Sequence, residues 1–285
     1  MNLTSPSQVK AWCIGHCFHP NKVLGQNFLV DRNALEAIVD AAALPAGAHV
    51  LEIGPGLGVL TEELLRRGFS VTAVEKDPVL AGRLAEALGN PPGLVVHAAD
   101  ALDLIKEGAC DGFPALVSNL PYQAGTRILL ELTQRTGGTR SCASATGGTR
   151  SCASAGAPET AVVLVQTEVA ERLAAGPGSK ARGLAGVWVQ LDYDVQLVRA
   201  VKATCFWPRP EVGSTVVRLV RHHRNDARTP DWRARFRQIT KQAFEHRRKQ
   251  LGAIFKGRVQ STARAEQLSN ADWLAFVDNL EPEEI

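Results

Sequence analysis

With 285 residues, 45% of them hydrophobic, the chain is long enough to bury the core of one large α/β domain and a smaller companion. No apolar run approaches the roughly 18 residues of a membrane span, Met1 to Lys10 lacks the charged-then-apolar order of a secretory signal, and six scattered cysteines read as reduced thiols, so a cytoplasmic protein without a membrane partner is expected. The formal net charge of +3 hides a segregation, because residues 196–264 hold 17 Lys/Arg against 4 Asp/Glu whereas residues 265–285 hold none against 6, and basic density of that kind argues for a polyanion.

Residues 1–20 show little pattern and read as a flexible leader. Cys13, His16, Cys17 and His19 crowd four conceivable ligands into seven residues, which leaves no loop to wrap tetrahedrally around zinc, and no metal is expected. The segment Leu24-Gly-Gln-Asn-Phe-Leu-Val-Asp31 follows, with Gln26, Asn27 and Phe28 more polar than the start of a helix requires. A helix is predicted from about Asp31 to Ala43, with Leu35, Ile38 and Val39 on one face and Asp31 as its cap.

An apolar run from Ala48 to Ile53, broken by Glu52, stops at Gly54, Gly56 and Gly58 and passes into an amphipathic segment, Leu57 to Arg67. This reads as strand, tight turn and helix, with the glycines admitting a ligand close to the backbone at the carboxyl edge of a parallel sheet. The spacing is G-x-G-x-G rather than the dinucleotide G-x-G-x-x-G, and Glu52 stands just before it. A pyrophosphate would be repelled by that carboxylate, whereas a ligand with a cationic centre and an amino group would not. A second strand, Ser70 to Asp77, carries Glu75 at its tip, 17 residues beyond Gly58, where a carboxylate can take both hydroxyls of a ribose. After a helix from Pro78 to Leu88, a third strand from Leu94 ends in Asp100, suited to the amino group of an adenine. A ribose and an adenine without phosphates are wanted, and S-adenosylmethionine fits.

Strand four, Ala115-Leu-Val-Ser, leads to Asn119-Leu120-Pro121-Tyr122, the sharpest chemical signal in the chain. Proline fixes the backbone just past the strand and aims the Asn side chain and neighbouring carbonyls into the cleft. An exocyclic adenine amine is a poor nucleophile, since its lone pair is delocalised into the ring. Oxygen acceptors that hold its hydrogens draw the nitrogen toward tetrahedral geometry for in-line attack on a methyl, and the Asn119 side-chain oxygen and Leu120 carbonyl are placed to do so. Tyr122 is suited to stack on the extruded base and to offer its π-face to the cation.

Beyond a helix from Ala124 to Gln134, ten residues repeat in exact tandem between Thr136 and Ala155 and read as a mobile surface loop. A strand from Thr160 to Val165, a helix from Gln166 to Ala175 and a flexible basic loop, 176–183, beside the cleft come next. Phe206, in the aromatic and proline-rich turn 205–212, is expected to wall the base pocket opposite Tyr122; an apolar strand runs from Thr215 to Val220. In a helix from Asp231 to Gln250 the apolar stripe is sparse while basic residues crowd the rest, among them Arg233, Arg237, Lys241, Arg247, Arg248 and Lys249. Such a helix would lie along an RNA phosphate backbone.

Together, Leu24-Gly-Gln-Asn-Phe-Leu, Glu52-Ile-Gly-Pro-Gly-Leu-Gly, Val74-Glu75-Lys-Asp, Asp100, Asn119-Leu-Pro-Tyr, Phe206-x-Pro-x-Pro-x-Val-x-Ser214 and Phe244-x-x-Arg-Arg-Lys-x-Leu251 resemble the ribosomal RNA adenine N6,N6-dimethyltransferase family over roughly Lys22 to Leu280. The resemblance implies a Rossmann-like α/β methyltransferase domain with a mostly parallel seven-stranded sheet over residues 21–222 and a small helical RNA-binding domain over residues 223–285. It implies S-adenosylmethionine as methyl donor, S-adenosylhomocysteine as product, and as substrate two adjacent adenines near the 3′ end of small-subunit ribosomal RNA in a pre-30S particle, bound by a monomer. Carried over by position, Gln26, Asn27 and Leu29 touch the methionine part, Gly54 the turn, Glu75 the ribose and Asp100 the adenine, with Glu52, Gly56, Lys76, Ala101 and Asn119 also at the cofactor. Asn119, Leu120, Pro121, Tyr122 and Phe206 hold the target base. Gly213 stands where the family often has Asp, and the leader and tandem loop are additions. A large-subunit, macrolide-resistance type of dimethylase and a catalytically silent assembly factor stay open; Phe244 to Leu251 favours the small-subunit reading.

Overall fold

The computed structural model describes residues 2–21, 24–134 and 156–280. In chain order the elements are α1 (Pro6–Gly15), β1 (Phe28–Leu29), α2 (Arg32–Ala42), β2 (His49–Ile53), α3 (Val59–Arg66), β3 (Ser70–Glu75), α4 (Pro78–Ala87), β4 (Leu94–Ala98), α5 (Ala101–Glu107), β5 (Ala115–Asn119) and α6 (Gly125–Thr133). There follow β6 (Thr160–Gln166), α7 (Thr167–Ala174), α8 (Leu184–Val189), β7 (Tyr193–Val201), β8 (Phe206–Trp207), β9 (Ser214–Arg221), α9 (Pro230–Glu245), α10 (Leu251–Ile254) and α11 (Asn270–Asn279). The tandem repeat lies outside the described residues.

Seven strands form one sheet in the order β4-β3-β2-β5-β6-β9-β7. The pairs from β4 to β6 are parallel, and β9 runs antiparallel to β6. Alternation of strand and helix dictates this, because each parallel neighbour needs a crossover and the helix supplies it. β5 and β6, buried on both faces, are continuous apolar runs, as interior parallel strands must be. From β2 the chain steps outward through β3 and β4, then returns to β5 on the other side. That reversal opens a crevice at the carboxyl ends of β2 and β5.

The predicted face of α2 is the buried one: Leu35, Ile38 and Val39 join Val50, Val117, Leu164 and Val216 in the sheet core. Asp31 caps α2 by accepting the Ala34 N–H at 2.8 Å. Asp77 and Asp100 cap α4 and α5 in the same way through Leu80 and Leu102, so two acids at strand tips also start helices.

The leader departs from expectation. It carries a helix: Val9 and Cys13, one turn apart in α1, are buried with Leu3 and Phe18 against Phe28, Val30, Leu57 and Leu80. Two apolar positions on a short helix are too thin a stripe to announce it, and tertiary packing supplies what local propensity lacks. Cys13 is inside and Cys17 outside, while His16 stacks on Trp12 at 4.3 Å.

The division of the chain also differs from the 222/223 boundary. One compact unit comprises Met1–Ala170 and Gln196–Arg221, the other Glu171–Val195 and His222–Ile285. The second unit takes in α8 because its core is built from Val187 and Leu191 together with Phe236, Ile239, Ala243, Leu251, Trp273 and Val277. The loop 176–183, expected to be flexible, belongs to this unit and is pinned. The Arg182 guanidinium, 1% exposed, donates to the carbonyls of Ala175 and Leu268 and to Asn270 Oδ1.

Candidate active site

The first unit carries a cleft of about 220 Å³ at the carboxyl ends of β2, β3 and β5. Its floor is the turn between β2 and α3. Gly54 N–H donates to the Val74 carbonyl at 2.8 Å, and Gly56 N–H donates to Glu75 Oε2 at 3.0 Å. Gly56 has φ +60°, and a Cβ there would stand 3.0 Å from the Phe28 ring; Gly58 has φ +88°, and its Cβ would stand 2.6 Å from Leu84 Cδ1. The glycines therefore serve left-handed backbone and close packing, beyond the ligand approach that spacing alone suggests.

Three carboxylates line the cleft. Glu75, at the end of β3 and buried, accepts from Gly56 and, at 2.9 Å, from the Asp77 N–H; burial raises its pKa. Glu52, 1% exposed, accepts from Thr61 Oγ1 at 2.7 Å. Burial pushes its pKa up to about 8, the Thr61 bond opposes that, and the Glu75 charge adds to it. Asp100 accepts Lys76 Nζ at 2.8 Å, and this bond holds its carboxyl below the usual range. Lys76 is the one cation among the described lining residues and is already committed to Asp100, while Ala101 opens α5 beside it. The lining suits a ligand free of phosphate, since an anion would meet three carboxyl groups and, among the described lining residues, no uncommitted cation.

Gln26, Asn27 and Leu29 come to the same cleft. Gln26 is braced at both ends, donating to Asp77 Oδ2 at 2.8 Å and accepting the Asn21 N–H at 2.7 Å. Asn27 donates to the Gly25 carbonyl, and its own carbonyl accepts Asn119 Nδ2 at 3.3 Å. The segment before α2 is thus tied to the end of β5.

Asn119, Leu120, Pro121 and Tyr122 form the opposite wall. The Ser118 hydroxyl donates to the Ile53 carbonyl at 2.6 Å, fastening β5 to β2 immediately before Asn119. The Pro121 carbonyl accepts the Gly125 N–H at 2.7 Å and starts α6. Asn119 Oδ1 is buried and has no hydrogen-bond partner. An unsatisfied buried acceptor costs roughly 1–3 kcal/mol, so an incoming N–H donor is the natural way to relieve it. Tyr122 Oη and Ser214 Oγ are 2.6 Å apart, and burial raises the phenol pKa.

Phe206 is not among the residues that line this cleft. It is 3% exposed, pairs with Leu29 across β8 and β1, sits in the sheet core and meets Tyr122 edge-on at 6.4 Å. It packs against the tyrosine. Residues that the spacing did not single out also matter here: Thr61 holds Glu52, Asp77 holds Gln26, and Leu3 and Val9 of the leader line the cleft. Asp77-Pro78 was readable as cap and first helical residue, and Ser214 stood inside a quoted motif; nothing in the sequence pointed to Leu3 or Val9.

The basic residues separate on inspection of the second unit. Arg233 is not available to a polyanion. It is 2% exposed, grips Asp192 with two bonds of 2.6 and 3.0 Å and donates to the Asn225 carbonyl at 2.7 Å. It falls on the buried face of α9 because Phe236 and Thr240 lie three and seven residues further on. Arg247 donates to the Lys180 carbonyl at 2.8 Å and stands 3.6 Å from Glu266. Arg237 is half-buried, while Lys241, Arg248 and Lys249 are exposed. The last two, with Arg247, lie past the end of α9, which stops at Glu245 and not at Gln250.

A family model described as "Ribosomal RNA adenine dimethylase" matches residues 17–283. The ribosomal RNA small subunit methyltransferase A of Corynebacterium efficiens is 35% identical over 274 residues, 94% of this chain and 88% of that protein. Among solved structures, a dimethyladenosine transferase from Plasmodium falciparum superposes with a TM-score of 0.70 at 21% identity over 88% of this chain and 98% of its own, a likeness of fold. The 23S rRNA methyltransferase ErmE gives 0.65 at 25% identity over 90% and 100%. With the family model spanning nearly the whole length, and with the motifs between Leu24 and Tyr122 gathered around one cleft, the chain belongs to the ribosomal RNA adenine dimethylase family.

Proposed function

We propose that the protein transfers methyl groups from S-adenosylmethionine to N6 of two adjacent adenines near the 3′ end of 16S ribosomal RNA, leaving N6,N6-dimethyladenosines, and that it does so as a cytoplasmic monomer on a pre-30S particle. The reading rests above all on Asn119 Oδ1, a buried acceptor without a partner, in the same cleft as Glu52, Glu75 and Asp100. When bound, the donor supplies an electrophilic methyl on a sulfonium. Glu75 would hold the ribose hydroxyls, its geometry fixed beforehand by the Gly56 and Asp77 amides. Asp100, shared with Lys76, would take the adenine amino group. Glu52, held protonated by burial in the free cleft, would ionise beside the cationic part of the donor and so favour it.

At the other wall Asn119 Oδ1 and the Leu120 carbonyl would accept the two amine hydrogens of the target adenine. Drawing those hydrogens aside turns the nitrogen lone pair out of the ring toward the methyl. Tyr122, held by Ser214 and by the edge of Phe206, would stack on the base. No strong general base is needed, because the alkylated ammonium is acidic. Lys241, Arg248 and Lys249 are the exposed cations that would meet phosphates.

The test is incubation with labelled donor and 30S particles that lack the modification. Label is expected in N6,N6-dimethyladenosine. Label entering naked large-subunit RNA and not the 30S particle would reverse the substrate assignment, and absence of donor binding by calorimetry would favour a silent assembly factor.

A further inference from the structure

The leader lies against the same cleft as the motif residues, and no motif accounts for it. Leu3 and Val9, 6% and 1% exposed, both line the cavity that holds Glu52, Glu75 and Asn119. Behind them the chain turns back, with the Phe18 N–H donating to the Cys13 carbonyl at 2.8 Å. The Phe18 ring lies 6.3 Å from that of Phe28, and Phe28 occupies the space a Gly56 side chain would need. The leader is therefore docked directly onto the turn that floors the cleft.

On its own α1 has little reason to be helical. It is ten residues long, has no side-chain cap, no acid in its first turn and no base in its last. Short helices of that kind form only where packing holds them, so docking and helicity are one event. Anything that strengthens the cleft end of this packing also orders the helix, and the converse holds by linkage.

We infer that the leader, Leu3 together with α1, is a wall of the methyl-donor site, with Leu3 and Val9 closing its apolar side so that water is excluded from the bound donor and its escape is slowed. This rests on the donor reading given above. The side chains carry no charge and make no hydrogen bond, so they favour donor and demethylated product alike, and RNA is indifferent to them.

The test uses the full chain with S-adenosylmethionine and S-adenosylhomocysteine by calorimetry, beside a Leu3→Ala/Val9→Ala variant. Loss of apolar contact worth one side chain should weaken both ligands about tenfold in the double variant and leave RNA affinity, which also reports that the variant is folded, unchanged. In the unaltered protein, donor should slow amide exchange across residues 6–15. Unchanged ligand affinity in the double variant overturns the inference, as does exchange of 6–15 that ignores the donor. An unaltered protein that binds neither ligand overturns the donor reading itself.

Discussion

Glu52 gives the most direct physical check of the cleft. Its carboxyl is 1% exposed, and burial pushes its pKa from an ordinary 4.5 up to about 8. With a folded pKa above the unfolded one, the protonated carboxyl stabilises the fold, and that contribution is complete below the unfolded value and lost as pH rises through the folded one. Between pH 4.5 and 8 the unaltered protein should therefore become steadily less stable. At pH 7 the displacement amounts to about 3 kcal/mol, or roughly 6–12 °C in melting temperature. Glu52→Gln keeps the shape and leaves an oxygen for the Thr61 hydroxyl, but it cannot ionise. Thermal melts of both proteins from pH 5 to 8 should diverge, with the variant gaining about 3–4 kcal/mol on the parent over that span. Saturating S-adenosylmethionine should flatten the parental slope, since a cation beside Glu52 favours the ionised form. Parallel melting curves would refute the reasoning.

Asn119→Ala should abolish methyl transfer to 30S particles while RNA affinity, measured by filter binding, is retained, because only the amine acceptor is lost. Gly58→Ala should destabilise by roughly 2–3 kcal/mol in a denaturant melt, since its Cβ would lie 2.6 Å from Leu84 in a backbone at φ +88°. Arg233→Ala should cost about 3–5 kcal/mol of stability by stranding Asp192, and its effect on RNA should vanish once folded protein alone is counted. Reversing Lys241 and Arg248 to Glu should instead leave melting unchanged and weaken RNA binding with a shallower dependence on salt.

The parallel sheet and the carboxyl-edge cleft were legible because their signals are local: apolar runs of strand length, a glycine turn, acids at strand tips and helix caps such as Asp31. Asn119 was legible for the same reason, being followed by Pro121 at a strand end. The leader was not, since α1 owes its helix to Phe28, Leu57 and Leu80, partners 15 to 70 residues away. Arg233 was misjudged because composition counts guanidinium groups without saying which way they point, and its partner Asp192 lies 41 residues earlier. The division into units depends on residues 171–195 joining the later helices, a tertiary choice with no composition break to mark it.

Asp77 and Asp100 start helices and Glu75 clasps the glycine turn, so these acids are architecture before they are recognition. Converting the crevice to take a phosphorylated nucleotide by exchanging them for neutral or basic residues would strip two helices of their caps and loosen the floor in the same stroke.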